Sequence, residues 1–472
     1  MTHERDRANG RGRAVGGRLN RRGFLRRSTV GAGLMMLATR ARAQEAAPAP
    51  ATAPAVPKGT ESPIRVGLVG CGAQGRVLLE ACMPIPGIKF IAVCDIWPYN
   101  LRYAANYLTK FNHQPSSHED FEEFLSAGKD KGMEAVIVAT PDIWHSPYTV
   151  QALKAGFHVY CEKMMSNTVD GARAMVRAMK ETGRLLQIGH QRRSNPRYLH
   201  ALEKIMRGNM IGRVVNAGGQ WNRSIRGSVD LTWPERYALP QATLEKYGYK
   251  NMREFRNWRW FRTYSGGPIS DLGAHQIDIF GWFLGARPRS VMASGGSDYF
   301  KDREWYDNVM TIFEYELPGG DVTRVAYQVL TTTSAGGGYY ETFMGVDGTL
   351  KVSENEAITR VYKEAHADWT EWIEKRVIRP IERPDTIPVS LSQVSLLDVR
   401  ATADLDAFEL PVEMAKKPHQ PHLENFFDAI RGRAKLNCPA DEAFESEAAV
   451  FKVNPAVEAR KQLTFEPADF EV

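Results

Sequence analysis

The chain has 472 residues, five cysteines and a formal net charge of +6, and its length exceeds one usual domain and predicts two. The charge sits at the front: residues 1–44 hold eleven Arg against Glu4 and Asp6, leaving about −3 for residues 45–472. A retained basic surface for nucleic acid is thereby excluded, and no apolar stretch beyond residue 44 is long enough to span a bilayer as a helix.

Arg21-Arg22 run into Gly23-Phe24-Leu25-Arg26, a short apolar run from Val30 to Ala38, and Ala41-Arg42-Ala43. A basic start, a brief hydrophobic segment and a small-residue cleavage site make residues 1–44 a signal peptide. The paired arginines match the twin-arginine pattern, which addresses an already folded protein to the export machinery and the periplasm. Residues 45–61 are Pro/Ala-rich and read as a linker. The cysteines are odd in number and show no C-x-x-C spacing, so they are read as buried thiols, and no metal site is expected.

Residues 62–189 carry the pattern of a dinucleotide-binding domain. "IRVGLVG" saturates with apolar residues, as a strand buried on both faces of a parallel sheet does. It enters Gly70-Cys71-Gly72-Ala73-Gln74-Gly75, and a helical segment, "RVLLEACM", follows. The first glycine permits the tight turn, the second admits a pyrophosphate, and the third lets helix pack on strand. A second strand, "KFIAVCD", ends at Asp95, twenty residues beyond Gly75. That carboxylate is spaced to accept bonds from the adenosine ribose, which favours NAD, with NADP the alternative because of Arg76.

Strand and helix patterns then alternate to residue 189, specifying a doubly wound α/β sheet whose ligands bind beyond the carboxyl ends of its strands. Those ends carry Thr140-Pro141 with His145 beyond, Glu162-Lys163, and His190-Gln191-Arg192-Arg193. The cofactor is therefore expected against Gly70, Gly72, Ala73, Gln74, Gly75, Asp95, Thr140, Pro141, His145, Glu162 and Lys163.

The stretch "VATPDIWHSPYTVQALKAGFHVYCEKMMS" resembles the glucose-fructose oxidoreductase / inositol dehydrogenase / MocA (Gfo/Idh/MocA) family, whose members carry a T-P…H segment followed by E-K-P. The resemblance covers nearly all of the chain from Pro63 on. It implies that Lys163 lies at the substrate and assists proton transfer. Met164 stands where Pro is usual, which puts the geometry after Lys163 in question.

Residues 190–472 read as a second, α+β domain, beginning with an irregular polar and aromatic stretch, "WNRSIRGSVDLTWPERYALPQATLEKYGYK". A helix starting near Ile269 carries Asp271, His275 and Asp278 at i, i+4 and i+7, on one face. The resemblance makes Asp271 and His275 a substrate-site pair, with the histidine as proton acceptor; shared metal ligation and a helix polar face capping a core are the alternatives. Four segments between residues 292 and 354 read as strands of an antiparallel sheet. The resemblance implies a large open sheet there, with one face used for oligomer contacts in a dimer or tetramer. Residues 366–412 give no clear pattern, and "HLENFFDAIRG" and "EAFESEAAVF" read as closing helices.

The expected activity is hydride transfer between NAD and a secondary hydroxyl of a sugar or cyclitol, with the cofactor tightly held because free NAD is scarce outside the cytoplasm. The alternatives are a redox-neutral glycosidase or lyase working through a keto-sugar, and a non-catalytic sugar binder. Arg192 and Tyr264 are candidate substrate contacts, with Trp144, Trp221, Arg259, Tyr339 and Tyr340, because guanidinium and aromatic faces suit carbohydrate.

Overall fold

The computed structural model describes residues 62–336, 338–382 and 405–472; the predicted signal peptide and linker lie outside them. The first sheet is parallel throughout. Its strands β1 (Ile64–Val69), β2 (Ile88–Cys94), β3 (Ser116–His118), β4 (Ala135–Val138), β5 (His158–Cys161) and β6 (Leu186–Ile188) lie in the order β3-β2-β1-β4-β5-β6. The order reverses beside β1, and such a switch point opens a crevice for ligand above the strand ends.

The connecting helices α1 (Ala73–Cys82), α2 (Pro98–Thr109), α3 (Phe121–Asp130), α4 (Asp142–Lys154) and α5 (Val169–Thr182) cover both faces. Local chemistry sets their ends: the Asp120 side chain accepts from the N–H groups of Glu122 and Glu123 to start α3, and Thr168 caps α5 by accepting from Gly171. Each face of the sheet has its own apolar cluster, one around Leu78, Leu79, Phe90 and Leu108, the other around Phe124, Val136, Ala172 and Met175.

The second sheet holds β7 (Val214–Asn222), β8 (Pro288–Gly296), β9 (Asn308–Glu316), β10 (Val322–Leu330), β11 (Tyr339–Gly345), β12 (Gly348–Val352), β13 (Arg360–Lys363), β14 (Arg379–Pro380), β15 (Asp406–Glu409) and β16 (Leu463–Thr464). Their order is β14-β15-β13-β12-β11-β7-β10-β9-β8-β16, antiparallel except where β7 and β10 run parallel. This is the mostly antiparallel open sheet expected of the second domain. Strands β14 and β15 and a short helix, Thr370–Glu374, fall in the region, residues 366–412, where the sequence shows no clear pattern. Alternating residues such as Val309, Phe313, Val325 and Val329 point into the core, while Met292, Met310 and Ile312 are exposed on the opposite face.

One buried helix, α6 (Ala274–Leu284), lies on the inner face of that sheet; Phe283 stacks on Phe343 of β11 and Phe280 meets the same ring edge-on. It is preceded by a π turn, Ile269–Gly273. The uniform helix expected from Ile269 is thus widened at its start.

The two late helices α7 (Gln420–Ile430) and α8 (Ala440–Phe451) do not close the second sheet alone. Leu423, Phe426 and Phe427 join the apolar cluster beneath α1, and Ala440, Ala443 and Phe444 join the one beneath α5. A division at residue 190 therefore separates the two sheets but not the two cores.

Candidate active site

A cavity of about 650 Å³ lies at the switch point of the parallel sheet. One end is built by the glycine turn. Gly70 has φ +88°, and a Cβ there would meet the Ala139 carbonyl at 2.5 Å; a Cβ on Gly75 would meet the Gly70 oxygen at 2.0 Å. Glycine is required at both. Beside Gly72 the space is open, with the nearest atom 3.9 Å from where a Cβ would stand. The first-turn N–H groups of α1 are available to an anion in that space.

Asp95 lines the same end. It accepts from the Cys71 N–H at 2.7 Å, the Trp97 N–H at 2.8 Å and the Asn100 amide at 3.3 Å, so it fixes the turn as well as facing the cavity. Burial pushes its carboxyl up to about 6 against those three bonds. Arg76 is engaged by Asn100 and the face of Tyr103.

The donors fit a dinucleotide. Thr140 Oγ1 and Arg256 Nε are buried beside this cavity without a partner among the described residues, as groups waiting for a ligand's polar atoms are. Pro141, Ala73, Gln74 and Glu162 line it too, and Gln74 donates to Glu162 at 3.1 Å. His145 also reaches the wall, but its two ring nitrogens lie 2.6 and 2.7 Å from the carbonyl oxygens of Met164 and Thr140, so its chief work is tying two strand ends together.

At the other end, strand β5 delivers Lys163 and the π turn delivers Asp271, although they are 108 residues apart. Lys163 Nζ donates to the Asp271 carbonyl oxygen at 2.5 Å and lies 3.8 Å from its carboxylate. The Lys163–Met164 peptide is cis. Burial alone would raise the Asp271 carboxyl, but Arg259, Lys163 and Arg223 outweigh it and hold it well below the usual range.

His275, one turn on, lines the cavity with Trp221 beside it at 5.7 Å between ring centres. Its Nδ1 is buried without a partner among the described residues, which leaves Nε2 as the nitrogen that opens to the cavity. Burial, followed by the charges of Lys163 and Arg192, drives its pKa well below 6.5. It is neutral at physiological pH and able to accept a proton.

Asp278 departs from the face predicted for it. Arg193 grips it with contacts of 2.7 to 3.1 Å, and Ser446 donates to it at 2.7 Å, away from the cavity. His275 and Asp278 lie in the same regular helix, α6, and the contacts with Arg193 and Ser446 are what engage Asp278 away from the pair formed by Asp271 and His275.

Of the candidate substrate contacts, Trp144, Trp221, Arg259 and Tyr339 line the cavity, and Tyr264, Tyr340 and Arg192 do not. Tyr264 is buried in an aromatic cluster with its hydroxyl bonded to Glu254 at 2.6 Å. Arg192 stands behind the wall, paired with Glu341 and Glu354, its guanidinium 5.6 Å from the Trp221 ring centre.

Residues that sequence patterns did not single out are Arg223, Val229, Arg256, Trp258 and His419. Most belong to the irregular stretch after β7, which reaches back to the first domain. There Trp97 donates to the Tyr237 carbonyl at 2.6 Å, and Tyr247 donates to the Glu119 carbonyl at 3.2 Å. The stretch's density of Trp, Tyr and Arg was the available signal. Among the described residues no group of three or more His, Cys, Asp or Glu is arranged to hold a metal, and all five cysteines are buried and unpaired.

A model described as "Oxidoreductase family, NAD-binding Rossmann fold" (GFO/IDH/MocA) matches residues 64–190, and the GFO/IDH/MocA C-terminal domain matches residues 200–351. An inositol 2-dehydrogenase of Rubrobacter xylanophilus is 31% identical over 178 residues, 37% of this chain and 49% of that protein. A glycosyl hydrolase family 109 protein of Parabacteroides distasonis is 27% identical over 279 residues, 55% of this chain and 58% of that one. These matches span about half the length of the curated relatives. The crystal structure of aldose-aldose oxidoreductase from Caulobacter crescentus, complexed with glycerol, superposes with a TM-score of 0.63 at 17% identity, covering 85% of this chain and all of that one. It supports the fold.

Proposed function

The chain belongs to the Gfo/Idh/MocA oxidoreductase family, with that family's NAD-binding Rossmann fold at its front, and on that premise we propose that it oxidises a secondary hydroxyl of a sugar or cyclitol. One observation carries this: Lys163 from the first sheet and the Asp271–His275 pair from the second domain converge on the cavity that also holds the glycine turn. NAD, when bound there, supplies the acceptor for the hydride leaving the substrate carbon. His275, neutral and with Nε2 open, accepts the hydroxyl proton. Lys163 donates a hydrogen bond to the same oxygen. Asp271, itself anchored by Arg259 Nε at 2.9 Å, holds the lysine in place.

The finer reading is that the protein is exported by the twin-arginine route to the periplasm, with residues 1–44 removed and residues 45–61 as tether. It carries its cofactor with it and returns it to the starting redox state within a closed cycle. The aromatic stretch bonded to the first domain beside the nucleotide end, through Trp97 to Tyr237 and Tyr247 to Glu119, supports retention. Assembly as a dimer or tetramer through the outer face of the second sheet is supported by exposed Met292, Met310, Ile312 and Met344.

The test is the cofactor content and 340 nm absorbance of protein purified after export without added NAD, before and after a panel of aldoses, ketoses and cyclitols. Bound nicotinamide that changes redox state with a sugar, and does not with Lys163→Ala, is the expected result. A protein that holds NAD but never changes its redox state would return the sugar-binding reading. Release of a sugar from a glycoside with no net change in absorbance would favour the redox-neutral glycosidase.

A further inference from the structure

The catalytic end of the cavity holds more positive charge than the protein neutralises. Three cations share one ionised carboxylate: around Asp271 stand Arg259 Nε at 2.9 Å, Lys163 Nζ at 3.8 Å and Arg223 Nη1 at 3.9 Å. Arg259 spends only its Nε on a protein acceptor; its guanidinium lies 4.1 Å from the Trp258 ring centre, leaving both terminal nitrogens unbonded among the described residues. Arg223 has one further bond, from Nε to Ser228 Oγ at 3.4 Å. The side chains are 34% and 28% exposed, and both residues line the cavity.

The other acids of the cavity do not cancel this excess. Asp142 is buried without a hydrogen-bond donor to its carboxyl among the described residues, and burial pushes its pKa well up, towards the neutral acid. Glu354 is held by Arg192 and Gln191. Asp95 and Glu162 belong to the nucleotide end, where Asp95 takes backbone N–H groups and Glu162 takes Gln74 and Tyr160. An arginine fork with free terminal nitrogens, set over an indole ring, is suited to a planar anion. Trp221 and Tyr339, stacked at 4.6 Å beside His275, supply apolar faces for a sugar ring.

We propose that Arg223 and Arg259 form an anion subsite and that the substrate is a carboxylated sugar, a uronate, rather than a neutral one. This rests on the dehydrogenase reading of the same cavity. The carboxylate pairs with the two guanidinium groups, and the hydroxyl to be oxidised is thereby presented to Lys163 and His275. Arg223 is then a specificity-determining residue: it acts on which substrate is held, not on the transfer itself.

The test compares glucuronate and galacturonate with glucose, galactose and myo-inositol on the NAD-loaded protein, by kcat/KM and by calorimetric binding at two salt concentrations. The uronates should be favoured by about tenfold or more, the size of one charge-assisted hydrogen bond, with binding that weakens as salt rises. Arg223→Gln should raise KM for the uronates by a similar factor, and Arg223→Lys should restore part of it. Melting temperature checks that each variant is folded. Equal kcat/KM for neutral and acidic sugars, or a preference for glucose 6-phosphate over glucuronate, would overturn the proposal while leaving the dehydrogenase intact. So would an Arg223→Gln variant that loses affinity for NAD alone, which would assign the arginines to the dinucleotide phosphates. If no sugar changes the nicotinamide, the dehydrogenase reading fails; uronate binding to wild type and not to Arg223→Gln would then still support the subsite.

Discussion

Two pairs of arginines stand within the second domain and its approach, and they are treated oppositely. Arg192 and Arg193, just past β6, are almost fully buried and each is matched: Arg192 by Glu341 and Glu354, Arg193 by Asp278 and Glu442. Arg223 and Arg259 are about a third exposed and share a single carboxylate with Lys163. A buried charge must find a local counter-charge or destabilise the fold, so the matched pair is architecture. Surplus charge is tolerable only where water or a ligand reaches it, so the unmatched pair marks the working surface. Burial and balance together, rather than residue type, separate the two.

That contrast predicts which quantity each substitution moves. The largest effect is expected beside the unmatched pair: Lys163→Ala should lower kcat by about 10²- to 10⁴-fold, the usual worth of a positioned proton-transfer group, with little change in melting temperature. A variant that unfolded instead would break the comparison. Next, Arg193→Ala leaves Asp278 buried and uncompensated, which should cost about 3–5 kcal/mol in denaturant unfolding, while the folded fraction keeps its turnover. Loss of turnover without loss of stability would place Arg193 on the working side.

Smaller effects sharpen the edges. Asp95→Asn should raise the NAD dissociation constant about tenfold, as for one hydrogen bond to a charged group, and narrow the preference over NADP, both read by fluorescence titration. Because His275 is held well below 6.5, it loses its ability to accept a proton only as pH falls beneath that value; the acid limb of kcat/KM should therefore lie below pH 6.5. Asp278 is held below its ordinary 3.8, burial being outweighed by Arg193. Its share of stability is present above that pH and lost as pH falls beneath it, so Asp278→Asn should flatten part of the acid-unfolding curve.

The parts of this molecule legible in the sequence are those that local chain determines. The run from β1 through Gly70, Gly72 and Gly75 to Asp95 is one strand-turn-helix-strand unit, and its spacing alone carries its chemistry. Lys163 and His275 could be named because strand ends and a family resemblance point to them. Tyr264 could not be placed, since only tertiary packing decides that its hydroxyl meets Glu254 and not a ligand. Arg223 and Arg256 were hidden for the same reason, in a stretch with no period whose path is fixed by aromatic contacts to another domain. Amphipathicity announced α7 and α8, but a stripe of apolar residues says that a face is buried and not against what.

Those two helices have a consequence for how the molecule comes into being. A polypeptide is made from its amino end, and a domain generally folds once its core residues have emerged. Here the core beneath α1 lacks Leu423, Phe426 and Phe427 until α7 is made, and the one beneath α5 lacks Ala443 and Phe444 until α8 is made. Pro418 and His419, at the entrance to α7, also form part of the cavity wall. The nucleotide site, though encoded first, is thus completed only after residues about 350 positions further along the chain have joined it.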